Sequence, residues 1–435
     1  MTLPAALEVV AADAPMRARI AVPGSKSETN RALILAALGD GRVTLRGALW
    51  SDDTQVMIEC LRALGIAIEV AQDLDEPANR TIVVQGGGGH LAPGGDEAHP
   101  VELFVGNAGT AARFLTALVC LGQGTYRLSG APRMYERPQQ ALIAALRELG
   151  YRVDAPDDRL PAVVHGGGSR EGMCNVSIAE SSQFASALLL SAGRGGWRVT
   201  VTDANADESP YVVMTEQMLC VFPAEGEYQI EGDASSASYL VGANLLEQLR
   251  SGEESSDADR IEVTNWPRSG WQFDERFRGF CDAALTNEAP HEVSRTTDLG
   301  DSIMTAIVLA PLLRRPVRFV GLERLRVQEC DRVAALYEGL TRCGANIEMI
   351  GDDLLVAPST LHGATIETYE DHRVAMCFAM LGLFVPGMVI LDPACVSKTF
   401  PNFFTKLGAP MPEGLGATLR DASDSRVLAA DELDA

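Results

Sequence analysis

Apolar and polar positions along the chain switch repeatedly between a helical period and a strand period. Helical stretches close on a glycine in Cys60-Leu-Arg-Ala-Leu-Gly65, Ala145-Leu-Arg-Glu-Leu-Gly150 and Tyr337-Glu-Gly-Leu-Thr-Arg-Cys-Gly344. Glycine at that place takes the left-handed backbone just past a last helical turn. Each glycine is followed at once by an alternating segment, Ile66-Ala-Ile-Glu-Val70, Tyr151-Arg-Val-Asp154 and Ala345-Asn-Ile-Glu-Met-Ile350, which predicts a strand. The helix-then-strand unit occurs in both halves of the chain and reads as an internal repeat. Helices alternating with strands predict an α/β (α+β) architecture, with helices packed inside or against sheets. Three segments read as surface insertions: a flexible glycine run from Gly86 to Gly95, an acidic loop from Ser251 to Asp259, and a polar, acidic tail from Pro412. The last dozen residues are expected to carry little order.

A length of 435 residues predicts two or three domains, at about 150 residues per domain. Hydrophobic residues at 46% and charged ones at 22% allow a large core and exclude global disorder. The 36 basic and 59 acidic side chains leave a charge of −23, which argues against a nucleic-acid partner. Small anionic substrates stay open, provided that arginines and lysines are concentrated locally. The cysteines are scattered without a C-x-x-C pair, the pattern of free thiols in a reducing compartment rather than of disulfides or zinc. No basic region leads into a continuous apolar run near Met1, and the stretch Val374 to Val389 is too short and too interrupted to span a bilayer. These features predict a soluble, cytoplasmic protein with no membrane association.

The cations are concentrated at helix entries. Pro23-Gly-Ser-Lys-Ser-Glu-Thr-Asn-Arg31 runs from a turn into an apolar-periodic helix, with Ser25, Ser27 and free N–H groups suited to an anion. Lys26 and Arg31 add positive charge where the helix dipole opposes it, a cost that favours function over plain capping. Gly106-Asn-Ala-Gly-Thr-Ala-Ala-Arg113 is a second glycine-rich helix entry, and Glu180-Ser-Ser-Gln-Phe184 a third, hydroxyl-rich one. Pro132-Arg-Met-Tyr-Glu-Arg-Pro138 places Arg133 and Arg137 in a proline-bounded loop. The C-terminal half carries Asp301, Arg326-Val-Gln-Glu-Cys-Asp-Arg332, Tyr369-Glu-Asp-His-Arg373 and Ser397-Lys-Thr-Phe-Pro401. Each motif alone reads as ordinary capping or solvated surface. Together, carboxylates, a histidine and several cations beside helix starts suit acid–base chemistry on a polyanion.

At these residues, and at Leu49-Trp-Ser-Asp-Asp53 and Gly232-Asp-Ala-Ser-Ser-Ala-Ser-Tyr239, the sequence resembles the EPSP synthase (3-phosphoshikimate 1-carboxyvinyltransferase) family. The motifs run in the family's order from Pro23 to Pro401. The resemblance implies an EPSP synthase-like fold of two domains, each three βαβαββ repeats forming an inside-out α/β barrel, closing over the substrates like a clamp. The expected domains are 24–232, and 1–23 joined to 233–435, with the tail 413–435 poorly ordered. The implied reaction transfers the enolpyruvyl group of phosphoenolpyruvate (PEP) to a hydroxyl and releases phosphate. It implies no metal or organic cofactor, small-molecule substrates as the only partners, and a monomer or weak oligomer.

By the same resemblance, Lys26, Arg133, Gln183 and Lys398, with the backbone near Gly109, hold the PEP phosphate, while Arg332 and Arg373 clamp its carboxylate. Glu329 matches the proton carrier at C3, supported by His372, and Asp301 the group that activates the acceptor hydroxyl. Lys26 also counts among the catalytic set. Ser27, Arg31, Ser181, Ser182 and Tyr211 line the acceptor site. Here the sequence departs from the family. Its lysine before Glu329 is Gln328, its asparagine four positions earlier is Arg324, and the serine before Tyr211 reads as Glu208, or Ser209 with the gap moved. The family's Gln-Gly-Asp turn is Gln272-Phe-Asp274, and Phe114 follows Arg113 where proline is common. Losing a lysine and gaining a glutamate beside a phosphate costs a few kcal/mol when both are desolvated, and Arg324, one turn away, is placed to compensate. Gln328→Lys is therefore expected to raise activity on shikimate 3-phosphate if the missing lysine limits it. Three readings follow: a transferase acting on shikimate 3-phosphate, a specialised one acting on another hydroxyl such as that of a nucleotide (for example UMP), and a catalytically silent binding protein. The intact Lys26, Asp301, Glu329 and Arg332 count against the third. A UDP-N-acetylglucosamine enolpyruvyl transferase is disfavoured, because the loop Ala131 to Arg137 lacks that relative's cysteine.

Overall fold

A computed structural model describes residues 3–203, 209–252, 260–286, 288 and 290–435. The chain divides into a contiguous unit, Gly24–Glu231, and a split unit, Met1–Pro23 with Gly232–Ala435. Each unit ties its own end of the crossing. Ser25 N donates to Glu231 O at 2.8 Å within the contiguous unit, and Asp233 N to Pro23 O at 2.9 Å within the split one.

The glycine signals are obeyed. Gly65, Gly150 and Gly344 have φ of +86°, +85° and +82°, and the strands Ala67–Gln72, Arg152–Asp154 and Asn346–Ile350 follow them. In the contiguous unit one sheet orders Gly226–Gln229, Arg42–Leu49, Asn79–Gln85 and Ala67–Gln72; another orders Val101–Phe104, Gln123–Ser129, Ala162–Gly167 and Arg152–Asp154. In the split unit the corresponding orders are Glu292–Ser294, Val317–Val320, Asp353–Ala357, Asn346–Ile350, and Thr365–Ile366, Met388–Leu391, Ala6–Val9, Leu419–Asp421. All four sheets share one pattern, a parallel first pair followed by two antiparallel pairs. Each unit adds a parallel two-stranded sheet, Gly172–Ser177 with Trp197–Thr202 and Ile261–Val263 with Ala18–Ile20. Among the described residues all six sheets are open, and no closed barrel is found.

The helices between the strands form the core. Every residue of Gly109–Leu118 and of Ile303–Leu309 is buried, as is all of His372–Gly382 except Arg373. A helix apolar on every side is an interior helix. Among the described residues no helix is long and apolar enough to cross a membrane.

Two expectations need correction, and one falls outside the described residues, since 253–259 of the acidic loop are not described. The glycine run is held in place: Gly86, Gly87 and Gly88 N–H groups donate to the carbonyls of Gly41, Ala37 and Gly39 at 2.8–2.9 Å. A Cβ on Gly86 would lie 2.2 Å from Gly39 O, so glycine serves close backbone approach there rather than mobility. The tail is ordered too. Leu419–Asp421 adds an edge strand to Ala6–Val9, and Leu415, Leu419, Leu428 and Leu433 are buried. Its polar residues mask widely spaced leucines, too few per turn to show a period. Leu419→Ala should therefore cost about 2–5 kcal/mol, measured by urea unfolding; a change below about 0.5 kcal/mol would mean the tail is not part of the core.

Candidate active site

In the contiguous unit four helices begin at one end. Arg31, in the second turn of Lys26–Leu38, records this arrangement. Its Nε donates to Thr215 Oγ1 at 2.7 Å, Nη2 to Ser186 Oγ at 3.1 Å and to Tyr211 O at 3.3 Å, and its guanidinium lies 5.5 Å from the Phe114 ring. Ser186, Phe114 and the Tyr211–Thr215 pair belong to the helices Ser182–Gly195, Gly109–Leu118 and Ser209–Val221. One guanidinium thus ties four helices to one another. Arg31 is only 2% exposed, and burial pulls it down to about 10, still cationic at neutral pH. Its Nη1 also donates to Ser27 O at 2.9 Å, so Arg31 acts first as a structural tie and Tyr211 contributes its carbonyl to it.

At that end Lys26 Nζ pairs with Asp53 Oδ2 at 3.2 Å. Ser181 caps its helix by accepting from Gln183 N at 3.2 Å, with Ser182 buried behind it. Gln183 Nε2 reaches Thr110 Oγ1 at 3.5 Å, which joins two of the helix entries. Gly109 is hemmed in by guanidinium groups: a Cβ there would lie 2.7 Å from Arg113 Nη1 and 2.8 Å from Arg137 Nη2. Arg133 has an anionic partner of its own. In the short helix Pro132–Glu136 it pairs with Glu136, and its side chain is 40% exposed. Arg137, which lies beside Gly109 together with Arg113, donates through Nη1 to Asn107 O at 3.3 Å.

The split unit holds a continuous chain of charges. Arg332, 1% exposed, donates through Nε to Asp371 Oδ2 at 2.6 Å and through Nη2 to Asp371 Oδ1 at 3.3 Å. Its Nη2 also lies 2.9 Å from Glu329 Oε2, and Nη1 donates to Gln328 Oε1. Lys398 Nζ sits 3.2 Å from Glu329 Oε1, so each oxygen of one carboxylate serves a different cation. Asp371 also caps His372–Gly382 by accepting from Arg373 N at 2.9 Å. Arg373 Nη2 lies 3.2 Å from Asp301 Oδ2, and Arg295 Nη2 lies 3.1 Å from Asp301 Oδ1. His372 is buried with Nδ1 3.8 Å from Asp371 Oδ1, and Arg324 is half-buried in the turn Glu323–Val327 just before Gln328. The Gln328 carbonyl is therefore an acceptor for Arg332, a contact that an ammonium cannot make. Glu208 lies outside the described residues.

The electrostatics follow from burial. Burial opposes the charge on Arg332, but Asp371 and then Glu329 outweigh it and hold its pKa above the ordinary arginine value. Burial likewise pushes Asp301 up, but Arg373, Arg295 and Arg332 pull it well below the usual carboxylate range. Asp274, fully buried and accepting from Ser302 N at 2.6 Å, is raised to about 6 by burial and then by the nearby Asp301 charge. Gly300, with φ +38°, lets the backbone pass Asp274, since a Cβ would sit 3.0 Å from Asp274 Oδ1. Sequence reasoning named neither Asp53, Arg137 and Asp371 as site residues, although its motifs contained them, nor Arg295, for which no signal existed.

A family model described as EPSP synthase (3-phosphoshikimate 1-carboxyvinyltransferase) matches residues 10–225 and 282–407. A 3-phosphoshikimate 1-carboxyvinyltransferase of Pseudomonas syringae pv. syringae (strain B728a) is 37% identical over 432 residues, covering 93% of this chain and 97% of that one. One of Rhizobium etli (strain ATCC 51251 / DSM 11541 / JCM 21823 / NBRC 15573 / CFN 42) is 38% identical over 449 residues, covering 97% and 100%. The solved EPSP synthase of Acinetobacter baumannii shares the fold with a TM-score of 0.68 at 21% identity, covering 95% of this chain and 99% of that one. The enolpyruvyl transferase NikO of Streptomyces tendae shares it with a TM-score of 0.62 at 14% identity, covering 95% and 98%.

The Asp274 environment makes a stability prediction. A carboxyl raised from 3.8 to about 6 binds its proton more tightly in the folded state, so its favourable contribution is present below about pH 4 and lost as pH rises through about 6. Asp274→Asn should therefore gain stability relative to the parent between about pH 4 and pH 7, measured by urea unfolding at both. A gap that stays constant across that window would contradict the burial of an ionisable Asp274.

Proposed function

The chain belongs to the EPSP synthase (3-phosphoshikimate 1-carboxyvinyltransferase) family, and from that premise we propose how its own residues carry out the family's reaction. It is a carboxyvinyltransferase that moves the enolpyruvyl group of PEP to a hydroxyl of shikimate 3-phosphate and releases phosphate. The hydroxyl oxygen adds to C2 of PEP while C3 takes a proton, giving a tetrahedral intermediate. Loss of a C3 proton and of phosphate from C2 then restores the alkene. Both substrates are polyanions, so the reaction needs fixed positive charge aimed at phosphate and carboxylate groups.

The observation that carries the assignment is the pair of guanidinium groups packed against Gly109 at the entry of a buried helix. Lys26, Gln183, the Gly109 backbone and Arg137 then hold the PEP phosphate together with Lys398, with Arg137 taking the place first assigned to Arg133. Arg332 and Arg373 take the carboxylate, for which a planar fork is suited. Glu329 carries the C3 proton, with His372 buried nearby on Asp371. Asp301 orients the acceptor hydroxyl. Ser27, Ser181, Ser182 and Tyr211 line the acceptor, with Arg31 holding their helices in line and Arg324 and Gln328 flanking Glu329. Each unit follows the family's three βαβαββ repeats in this reading, supported by the shared strand order of the four larger sheets. The relatives' names favour shikimate 3-phosphate over another hydroxyl. NikO, at 14% identity, speaks for the fold alone.

The test is phosphate release from PEP with shikimate 3-phosphate, compared across variants. Arg137→Ala should lower kcat/KM for PEP by about 10- to 100-fold, the worth of hydrogen bonds to a charged group, while Arg133→Ala changes it less than about threefold. The reverse order would restore Arg133 to the site. Asp301→Asn should lower kcat by about 100-fold or more; full activity in that variant would remove Asp301 from the chemistry.

A further inference from the structure

The cations assigned to the substrate carboxylate are already engaged by carboxylates of the protein, and those carboxylates are the ones the chemistry needs. Glu329 spends both oxygens on this, one 2.9 Å from Arg332 Nη2 and the other 3.2 Å from Lys398 Nζ. Asp301 does the same, with Arg373 at 3.2 Å and Arg295 at 3.1 Å. A carboxylate placed this way occupies the geometry that an incoming anion would take.

The partners differ in how firmly they are built in. Asp371 is fully buried, holds Arg332 through both oxygens, caps His372–Gly382 and accepts from Cys330 Sγ at 3.6 Å. Removing it would strand a buried cation, which is strongly destabilising. Glu329 lies between the turn Glu323–Val327 and the helix Arg332–Arg342, and its side chain is 14% exposed. An incoming anion can therefore displace Glu329 from Arg332 without disturbing Asp371. Arg295 likewise keeps Asp301 in place when Arg373 changes partner.

We propose that Glu329 is an internal placeholder on Arg332 and Lys398, and that the substrate anion displaces it. Binding then exchanges counter-ions: Arg332, Lys398 and Arg373 pass to the substrate, while Glu329 and Asp301 are released from part of their positive surroundings. Both carboxylates become stronger proton acceptors only once the substrate is seated. Glu329 can then take up from solvent the proton that it delivers to C3, so proton uptake is coupled to binding. This inference rests on the reading of Lys398 and Arg332 as substrate-anion holders.

The experiment is a titration of PEP alone, without acceptor so that no turnover occurs, into the parent, Glu329→Gln and Lys398→Met proteins. Glu329→Gln keeps the shape and removes the competing charge, so its dissociation constant for PEP should fall about tenfold below the parent's. Lys398→Met should raise it. If Lys398→Met binds more weakly while Glu329→Gln is unchanged or weaker, the placeholder is overturned and the site assignment stands. If Lys398→Met binds like the parent, the assignment of Lys398 fails and the placeholder fails with it. Thermal melting of each variant confirms that the comparison is between folded proteins.

Discussion

A guanidinium can be buried only beside a fixed counter-charge, and Arg332 is 1% exposed. Asp371 supplies that charge through both of its oxygens. The same carboxylate caps the helix His372–Gly382, so the orientation of the arginine and the start of a core helix are set by one group. The helix cap in turn places Arg373 against Asp301. The alternation of charge along Lys398, Glu329, Arg332, Asp371, Arg373, Asp301 and Arg295 is what allows so many ionised groups to lie out of water together. The contiguous unit meets a similar constraint with dipoles. Arg31 is buried among hydroxyls and a carbonyl, and the helices it ties present their N-termini at one end.

This explains how an acidic chain can serve anionic substrates. Net charge describes the whole surface, whereas binding depends on the few cations that the fold gathers and desolvates. Lys26, Arg113, Arg137, Arg332, Arg373 and Lys398 come from distant parts of the sequence. Within each unit they are brought together because each lies at or near a helix entry or a turn that leads into one.

Much of this is legible in the sequence. The glycines at 65, 150 and 344 announced their strands because a left-handed residue admits few alternatives. The helix entries at Lys26, Gly109 and Ser182 were legible because capping chemistry is local. Arg133 and Arg137 were not separable by sequence. They share one proline-bounded loop, and only the turn of the short helix sends the first toward Glu136 and the second toward Gly109. The tail escaped because its buried leucines are spaced by polar residues and paired by a strand from the other end of the chain. The role of Gln328 as an acceptor for Arg332 escaped for the same reason: comparison of residue types at one position does not reveal what the side chain faces.

In the proposed reaction the cations hold PEP, and the hydroxyl-rich helix entry at Ser181 and Ser182 selects a phosphorylated hydroxyl acceptor. The most direct measurement is the ratio of kcat/KM for shikimate 3-phosphate to that for unphosphorylated shikimate, followed by phosphate release at fixed PEP. Turnover with shikimate 3-phosphate is expected, with a ratio of about a thousandfold or more, the worth of a multiply contacted phosphate. Equal rates with the two acceptors, or no turnover with shikimate 3-phosphate, would contradict that selection.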